Sequence, residues 1–198
     1  MKLVLATQNP KKLKEMNEIL SHLGVEVVSE AELGVRIEVE ETGETFTDNA
    51  RLKATAVMQA TGLPAVVDDS GLCVDALNGG PGVYSARFGG EGLDDKGRYT
   101  LLLEMLRGQT DRAAHFHTSI VCVFPNGDEL VCEGECPGTI AFAPMGEGGF
   151  GYDPVFFVPE LRKTFGQLTT EEKASVSHRG KALRAFAAAL DDYLKGNE

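Results

Sequence analysis

The chain has 198 residues, 42% hydrophobic and 25% charged, an ordinary globular composition with enough apolar mass to bury a core. Its formal net charge of −11 is the reverse of what proteins that hold nucleic acid by its phosphates show, so neither DNA nor RNA is an expected partner. A small phosphate-bearing ligand stays open, provided basic groups cluster locally or a divalent metal bridges the charges. No stretch approaches the roughly 20 apolar residues of a membrane helix. The opening run Leu3-Val4-Leu5-Ala6 is too short for a signal-peptide core, and cytoplasmic residence is the expectation.

Val4-Leu5-Ala6 reads as a short buried strand. Asn9 then caps a helix whose first position is Pro10, where a missing N–H costs nothing, and Leu13, Met16, Ile19, Leu20 and Leu23 keep helical spacing up to Gly24. A second helix is predicted from about Thr47 to Thr61, stopped by Gly62. The strand Pro64-Ala65-Val66-Val67 runs into Asp68-Asp69-Ser70-Gly71, and open α/β sheets place ligand sites beyond the carboxyl ends of their strands. A third helix covers Asp94 to Arg107. From Ala113 to Glu135 the period changes to two, with Asn126-Gly127 as a hairpin signal. Further strands are expected at Gly138 to Ala143 and Val155 to Val158, with a glycine-rich run from Gly146 to Gly151 between them. Thr169 and Glu172 form a capping box, and a last helix spans about Gly180 to Leu194. The order, α/β first, then an antiparallel section, then helix, predicts an α/β fold with one mixed sheet flanked by helices.

Several segments carry groups suited to chemistry. Buried strands seldom end in two carboxylates such as Asp68 and Asp69 unless these are paired, solvated or metal-bound, and magnesium prefers carboxylate and phosphate oxygens. Glu38, Glu40, Glu41 and Glu44 form an acidic cluster ahead of the second helix; solvated loop charge is the ordinary reading of such a cluster, unless the loop faces Asp69. Thr7-Gln8-Asn9-Pro10-Lys11-Lys12 lies between a strand and a helix N-terminus, a natural anion site, although the P-loop pattern G-x-x-x-x-G-K-[ST] is absent. Around Phe150-Gly151-Tyr152-Asp153, glycines let the main chain approach a ligand, an aromatic ring can stack on a base, and a carboxylate can accept from a purine N–H. Lys173 and Ser177-His178-Arg179-Gly180 put cations near a helix start, against the helix dipole, which a bound phosphate or base carbonyl would resolve. Among Cys73, Cys122, Cys132 and Cys136 only the last two are close, and His115 and His117 alternate on a strand. That spacing favours reduced structural thiols over a zinc site.

Taken in order, these segments resemble the inosine triphosphate pyrophosphatase family, which includes the bacterial dITP/XTP pyrophosphatases. The resemblance runs through Thr7 to Lys12, Glu40-Glu41-Thr42-Gly43-Glu44-Thr45-Phe46, Asn49-Ala50, Lys53-Ala54, Asp68 to Leu72 and Pro81 to Arg87. It continues through Gly149 to Pro154, Glu172-Lys173 and Ser177 to Gly180. It implies one domain over 1–198 of two lobes, an elongated mixed sheet with a central active-site cleft, and a homodimer. It also implies magnesium-dependent hydrolysis of ITP, dITP and XTP at the α-phosphorus, giving the monophosphate and pyrophosphate. Asp69, with Asp68 beside it, would be the general base or metal-coordinating acid; Glu40, Glu41 and Asp69 would hold Mg2+. Thr7, Gln8, Asn9, Pro10, Lys11, Lys12 and Lys53 would hold phosphates, and Ser70, Phe150, Gly151, Tyr152, Asp153, Lys173, His178 and Arg179 would enclose base and sugar. Gln8 stands where relatives often have Gly, and Asp48 where they commonly have Glu.

Two other readings compete: a house-cleaning hydrolase preferring modified pyrimidine nucleotides, and a nucleotide-binding regulator without turnover. The Asp68-Asp69 pair, Lys173 and His178-Arg179 speak against the second.

Overall fold

The computed structural model describes residues 1–7 and 9–196; the phosphate-site candidate Gln8 lies outside the described residues. In chain order the elements are β1 (Lys2–Leu5), α1 (Pro10–Leu20), β2 (Glu26–Ser29), α2 (Phe46–Thr61), β3 (Ala65–Val74) and α3 (Asp95–Met105). They are followed by β4 (Ala113–Val123), β5 (Glu129–Ile140), β6 (Phe156–Val158), β7 (Lys163–Thr164), α4 (Thr170–Val176) and α5 (His178–Gly196). Among the described residues seven strands form one sheet, ordered β2-β1-β3-β4-β5-β6-β7. β1 is parallel to β2 and β3, and β6 antiparallel to β5 and β7. The expected mixed sheet flanked by helices is present. No helix among the described residues is long and apolar enough to cross a membrane.

Two compact units divide the chain. Unit 1 comprises Met1–Asp69, Thr118–Glu133 and Lys181–Glu198, and unit 2 comprises Ser70–His117 and Gly134–Gly180. In unit 1 successive strand residues serve opposite faces, as the two-residue period requires. Leu3, Leu5, Val66, Ile120 and Cys122 pack with Met16 and Leu20 of α1 and Leu183, Phe186 and Leu190 of α5. Val4, Val28, Ala65, Val67, Val121 and Val123 pack against Ala50, Ala54 and Val57 of α2. In unit 2, Leu72, Val74, Cys136, Ile140, Phe156 and Phe165 enclose Leu102 and Leu106 of the α3 segment.

The caps follow the residue chemistry. Asn9 Oδ1 accepts from the Lys11 N–H at 2.9 Å, with Pro10 opening α1. Thr45 caps α2, which starts at Phe46, one residue before the predicted Thr47, because the Thr45 hydroxyl accepts from the Asp48 N–H at 3.1 Å. The Thr169–Glu172 capping box forms on both sides, at 3.1 and 2.9 Å. Asn126-Gly127 joins β4 to β5, the Phe124 N–H donating to the Asp128 carbonyl at 2.9 Å and Gly127 taking φ +93°. At the edge of the sheet, the Asn17 side chain of α1 accepts from the Val27 N–H at 3.1 Å and donates to the Val27 carbonyl at 2.9 Å, while Glu32 accepts from the Ser29 N–H at 2.7 Å.

Three expectations about element bounds change. β3 does not end at the acidic pair but continues to Val74, because Leu72 and Val74 carry the burial pattern onward into the unit 2 core. The separate strand expected at Gly138 to Ala143 is the continuation of β5, which reaches Ile140. α5 begins at His178 instead of Gly180, because the Ser177 hydroxyl accepts from the Gly180 N–H at 3.0 Å and so starts the helix directly after α4.

Candidate active site

In unit 1 the strand β1 stops at Leu5, whereas its parallel neighbour β3, paired to it at Ala65 and Val66, runs on. Beyond the end of β1 lies a cavity of about 280 Å³ walled by Ala6, Thr7 and Val67. Its polar lining comes from four segments: Lys12 of α1, Glu41 of the acidic loop, Asn49 and Lys53 of α2, and Asp68 and Asp69 of β3. Strand alternation separates the two aspartates. Asp68 shares the face of Val66, toward α1, and Asp69 that of Val67, toward α2. Lys12 Nζ accordingly meets Asp68 Oδ1 at 3.0 Å, with the Asp68 side chain 3% exposed. Asn49 and Lys53 stand one turn apart on α2, the spacing that puts two side chains on one helix face.

The sequence-predicted phosphate and metal residues divide here. Thr7, Lys12, Lys53, Asp68, Asp69 and Glu41 line the cavity; Glu40, Asn9, Pro10 and Lys11 are exposed and do not line it. Asn9 spends its side chain on the α1 cap, and Pro10 is the first residue of that helix. No group of three or more His, Cys, Asp or Glu side chains is close enough to hold a metal among the described residues.

Asn49, which had no assigned role, lines this cavity, and Glu30 feels the charge of its Lys53. Glu30, at the end of β2, is 6% exposed, and burial pushes its carboxyl up while the Lys53 charge opposes that shift. Nothing in the local sequence distinguishes it from the neighbouring Glu32. Asn49 belongs to a motif that marks the helix start, which gave it no chemistry of its own.

Unit 2 holds the second set. Asp153 is 3% exposed, and its Oδ2 accepts from Lys173 Nζ at 2.6 Å and from the Phe150 N–H at 2.9 Å. Burial pushes this carboxyl up, against the pull of Lys173. Asp153 and Lys173, both expected to meet ligand, therefore also brace the glycine-rich turn. That turn leaves the Phe150 ring 72% exposed, with Lys173 Nζ 5.0 Å from its centroid. Gly149 is required there on two counts: its φ is +78°, and a Cβ would stand 1.9 Å from Asp153 Oδ2. Gly151 also has positive φ, +59°, but faces open space, and its N–H donates to Asp95 at 2.7 Å. Gly149→Ala is expected to destabilise the protein by more than about 1 kcal/mol, and by more than Gly151→Ala, in urea unfolding. Equal costs would show that the contact with Asp153 is immaterial.

Tyr152 is not a stacking platform. It is 5% exposed, its hydroxyl donates to the Ser85 carbonyl at 2.7 Å, and burial pushes its pKa up to about 12. Of the two aromatic residues in the motif, only Phe150 presents a ring outward.

His178 and Arg179 open α5. The His178 imidazole stacks on Phe116, centroids 4.7 Å apart and planes 12° apart, and lies nearly parallel to Phe165 at 6.3 Å. Burial pulls the Arg179 guanidinium down to about 10. Gly180 lets α4 approach the start of α5 and so helps to accommodate the Arg179 charge there, for a Cβ at this position would stand 2.2 Å from the Ala174 carbonyl oxygen. The C-terminal carbonyls of α4 thus lie against the first turn of α5 and offset its dipole. Ser70, the remaining candidate of this set, is half-buried on β3.

The thiols take no part in either set. Cys122, Cys132 and Cys136 are buried, and burial pushes the Cys122 and Cys132 thiols up, away from nucleophilic thiolate. His117 Nδ1 lies 3.0 Å from Glu135.

Comparison with known proteins gives a consistent result. Residues 3–189 match the Ham1 family. A dITP/XTP pyrophosphatase of Desulforamulus reducens is 53% identical over 193 residues, 96% of each chain. One from Exiguobacterium sp. is 49% identical over 196 residues, 99% of this chain and 100% of its own. Among solved structures, a HAM1 protein from Coxiella burnetii has a TM-score of 0.93 at 42% identity, covering 97% of this chain and 99% of its own. The Ham1 protein of Staphylococcus aureus has a TM-score of 0.92 at 40% identity over the whole of both chains.

Proposed function

We propose that this chain, which belongs to the Ham1 family, is a nucleoside-triphosphate pyrophosphatase that hydrolyses dITP, ITP and XTP to the monophosphate and pyrophosphate. The observation that carries the reading is the unit 1 cavity, where lysines from two helices and carboxylates from a strand and a loop line one space. Lysines alone would make an anion site and carboxylates alone a cation site; both together suit a polyphosphate bound with a divalent cation.

The donor set fits magnesium. Mg2+ takes one or two carboxylates and completes its shell with water and substrate phosphates, so it needs no protein cage of three ligands. Asp69 and Glu41 are the residues to hold it, with Glu40 as the neighbouring alternative on the same loop. When bound, the ion neutralises phosphate charge and polarises the phosphoryl group.

The chain's own residues then divide the work. Asp69 orients the attacking water and takes its proton as the new bond to the α-phosphorus forms. The bond from that phosphorus to its bridging oxygen breaks, and pyrophosphate leaves with the electron pair. Lys12 and Lys53 meet the negative charge that grows on it, where preorganised cations do most good. Asp68 holds Lys12 in position through their 3.0 Å pair. For the base, the exposed Phe150 ring supplies a stacking face, and His178 and Arg179 supply donors for the 6-oxo group. A site built to pair an oxo group leaves its donors unmet by the 6-amino group of adenine, a form of discrimination that can be strong. Ser70 and Lys173 complete the enclosure of base and sugar. The same reading makes the protein a cytoplasmic homodimer that acts on free nucleotides, with no nucleic-acid partner.

The test is pyrophosphate release from XTP, dITP and ITP against ATP and dGTP, with and without magnesium. Magnesium-dependent release from the first three, far above the last two, is the expected result. Equal rates on all five would remove the selectivity, and faster release from modified pyrimidine triphosphates would reassign the substrate.

A further inference from the structure

We infer that Asn49 is a substrate-binding residue, its side-chain NH2 donating to a non-bridging oxygen of the polyphosphate while its carbonyl oxygen holds the acidic loop. This rests on the unit 1 cavity being the polyphosphate site. Asn49 is 2% exposed and lines that cavity from the first turn of α2. Its two ends are not interchangeable. The Gly43 N–H donates to Oδ1 at 2.7 Å, and an N–H can be met only by the oxygen end, so the other end must be the NH2 group. That Nδ2 is buried and has no hydrogen-bond partner among the described residues. Buried donors are almost always satisfied, and one left unmet beside a polar cavity marks the place of a missing acceptor.

The cavity's contents narrow what the acceptor is. None of its carboxylates comes within hydrogen-bonding reach of Nδ2, and Asp68 is engaged by Lys12. Two further donors lining the space, Lys12 and Lys53, are cations, so an anionic oxygen between them and Asn49 would serve all three. A neutral donor suits this position, because a further cation on α2 would compete with the bound divalent ion for the carboxylates.

The second end of the amide ties the ligand contact to the loop. Gly43 packs so closely that a Cβ on it would stand 2.7 Å from Asn49 Oδ1 and 2.7 Å from Asp48 Cβ. Its φ is not the reason for glycine here; proximity is. Glu41, two residues away, lines the same cavity. One side chain therefore links the helix, the loop and the ligand.

Three variants separate these roles: Asn49→Asp keeps an oxygen for Gly43 but loses the donor, Asn49→Leu loses both ends without adding charge, and Gly43→Ala displaces the loop but leaves the donor. Binding of magnesium tripolyphosphate is measured by calorimetry, with thermal melting to confirm the fold and XTP turnover followed in parallel. Loss of the donor is expected to raise the tripolyphosphate Kd about tenfold in both Asn49 variants, the value of one hydrogen bond to a charged group, with Gly43→Ala losing clearly less. An Asn49→Leu variant that binds as wild type overturns the inference, and so does a Gly43→Ala loss equal to it, which would leave Asn49 a loop anchor only. Wild type that turns over XTP with unchanged Asn49 variants refutes this inference alone. Wild type with neither tripolyphosphate binding nor turnover refutes the proposed function with it.

Discussion

Asp69→Asn is expected to lower kcat on XTP by about 10²- to 10⁴-fold, the range that a positioned general base contributes, with little change in KM or in thermal stability. The distinction from Asp68 comes from the strand. Asp68 faces α1, is nearly closed off from solvent and is committed to Lys12 at 3.0 Å. Asp69 lies on the other face, with Lys53 and Asn49 of α2, and is half-buried. Asp68→Asn should therefore act differently, weakening the hold on Lys12, raising KM and lowering stability together. Pyrophosphate release as a function of XTP concentration checks both variants. If Asp69→Asn keeps its kcat within threefold while Asp68→Asn loses it, the roles of the two carboxylates are reversed.

Lys173→Met should destabilise the protein by about 3–5 kcal/mol at neutral pH, because breaking a buried pair strands the other charge. Asp153 is the charge stranded, with Lys173 at 2.6 Å its partner and only 3% of its surface exposed. The pH dependence has a definite sign. Burial already raises the folded carboxyl above its ordinary 3.8, so protonation favours the fold. That contribution is complete below 3.8 and is lost as pH rises through the folded value, where Lys173 must offset the buried charge. Without the lysine the folded value rises further, and the variant's deficit should be largest at neutral pH and shrink on acidification. Urea unfolding of both proteins at neutral and mildly acid pH measures it. A deficit that stays constant with pH would mean the lysine contributes through its packing on Phe150 and Phe165, at 5.0 and 5.3 Å, and not through charge.

How much of this could be read from residue order depends on the range of the interaction. The cap at Asn9, the stop at Gly62, the turn at Asn126-Gly127 and the box at Thr169 each depend on atoms within a few residues, and each is present. The acidic pair was legible as chemistry but not as geometry. Whether Asp68 and Asp69 end a strand or lie within one depends on what Leu72 and Val74 pack against, and that is a tertiary fact. Tyr152 and Phe150 look equally suited to stacking until Ser85, 67 residues away, takes the tyrosine hydroxyl. Glu30 was invisible for the same reason, since its environment is set by Lys53 on a different element. The start of α5 departs from the helix signal at Gly180 because Ser177 serves two helices, ending one and capping the next.

The outer border of β2 carries a consequence for behaviour outside catalysis. A terminal strand normally offers a row of unmet N–H and C=O groups that can recruit a strand from another molecule. Here the Val27 N–H and C=O are both occupied by the amide of Asn17, and the Ser29 N–H by the Glu32 carboxylate. A side-chain amide has the same donor and acceptor as a peptide unit, so α1 in effect supplies one residue of a further strand and then stops. At Val27 and the Ser29 N–H the folded protein thereby offers no unmet group to a strand from another molecule, which disfavours edge-to-edge growth through β2.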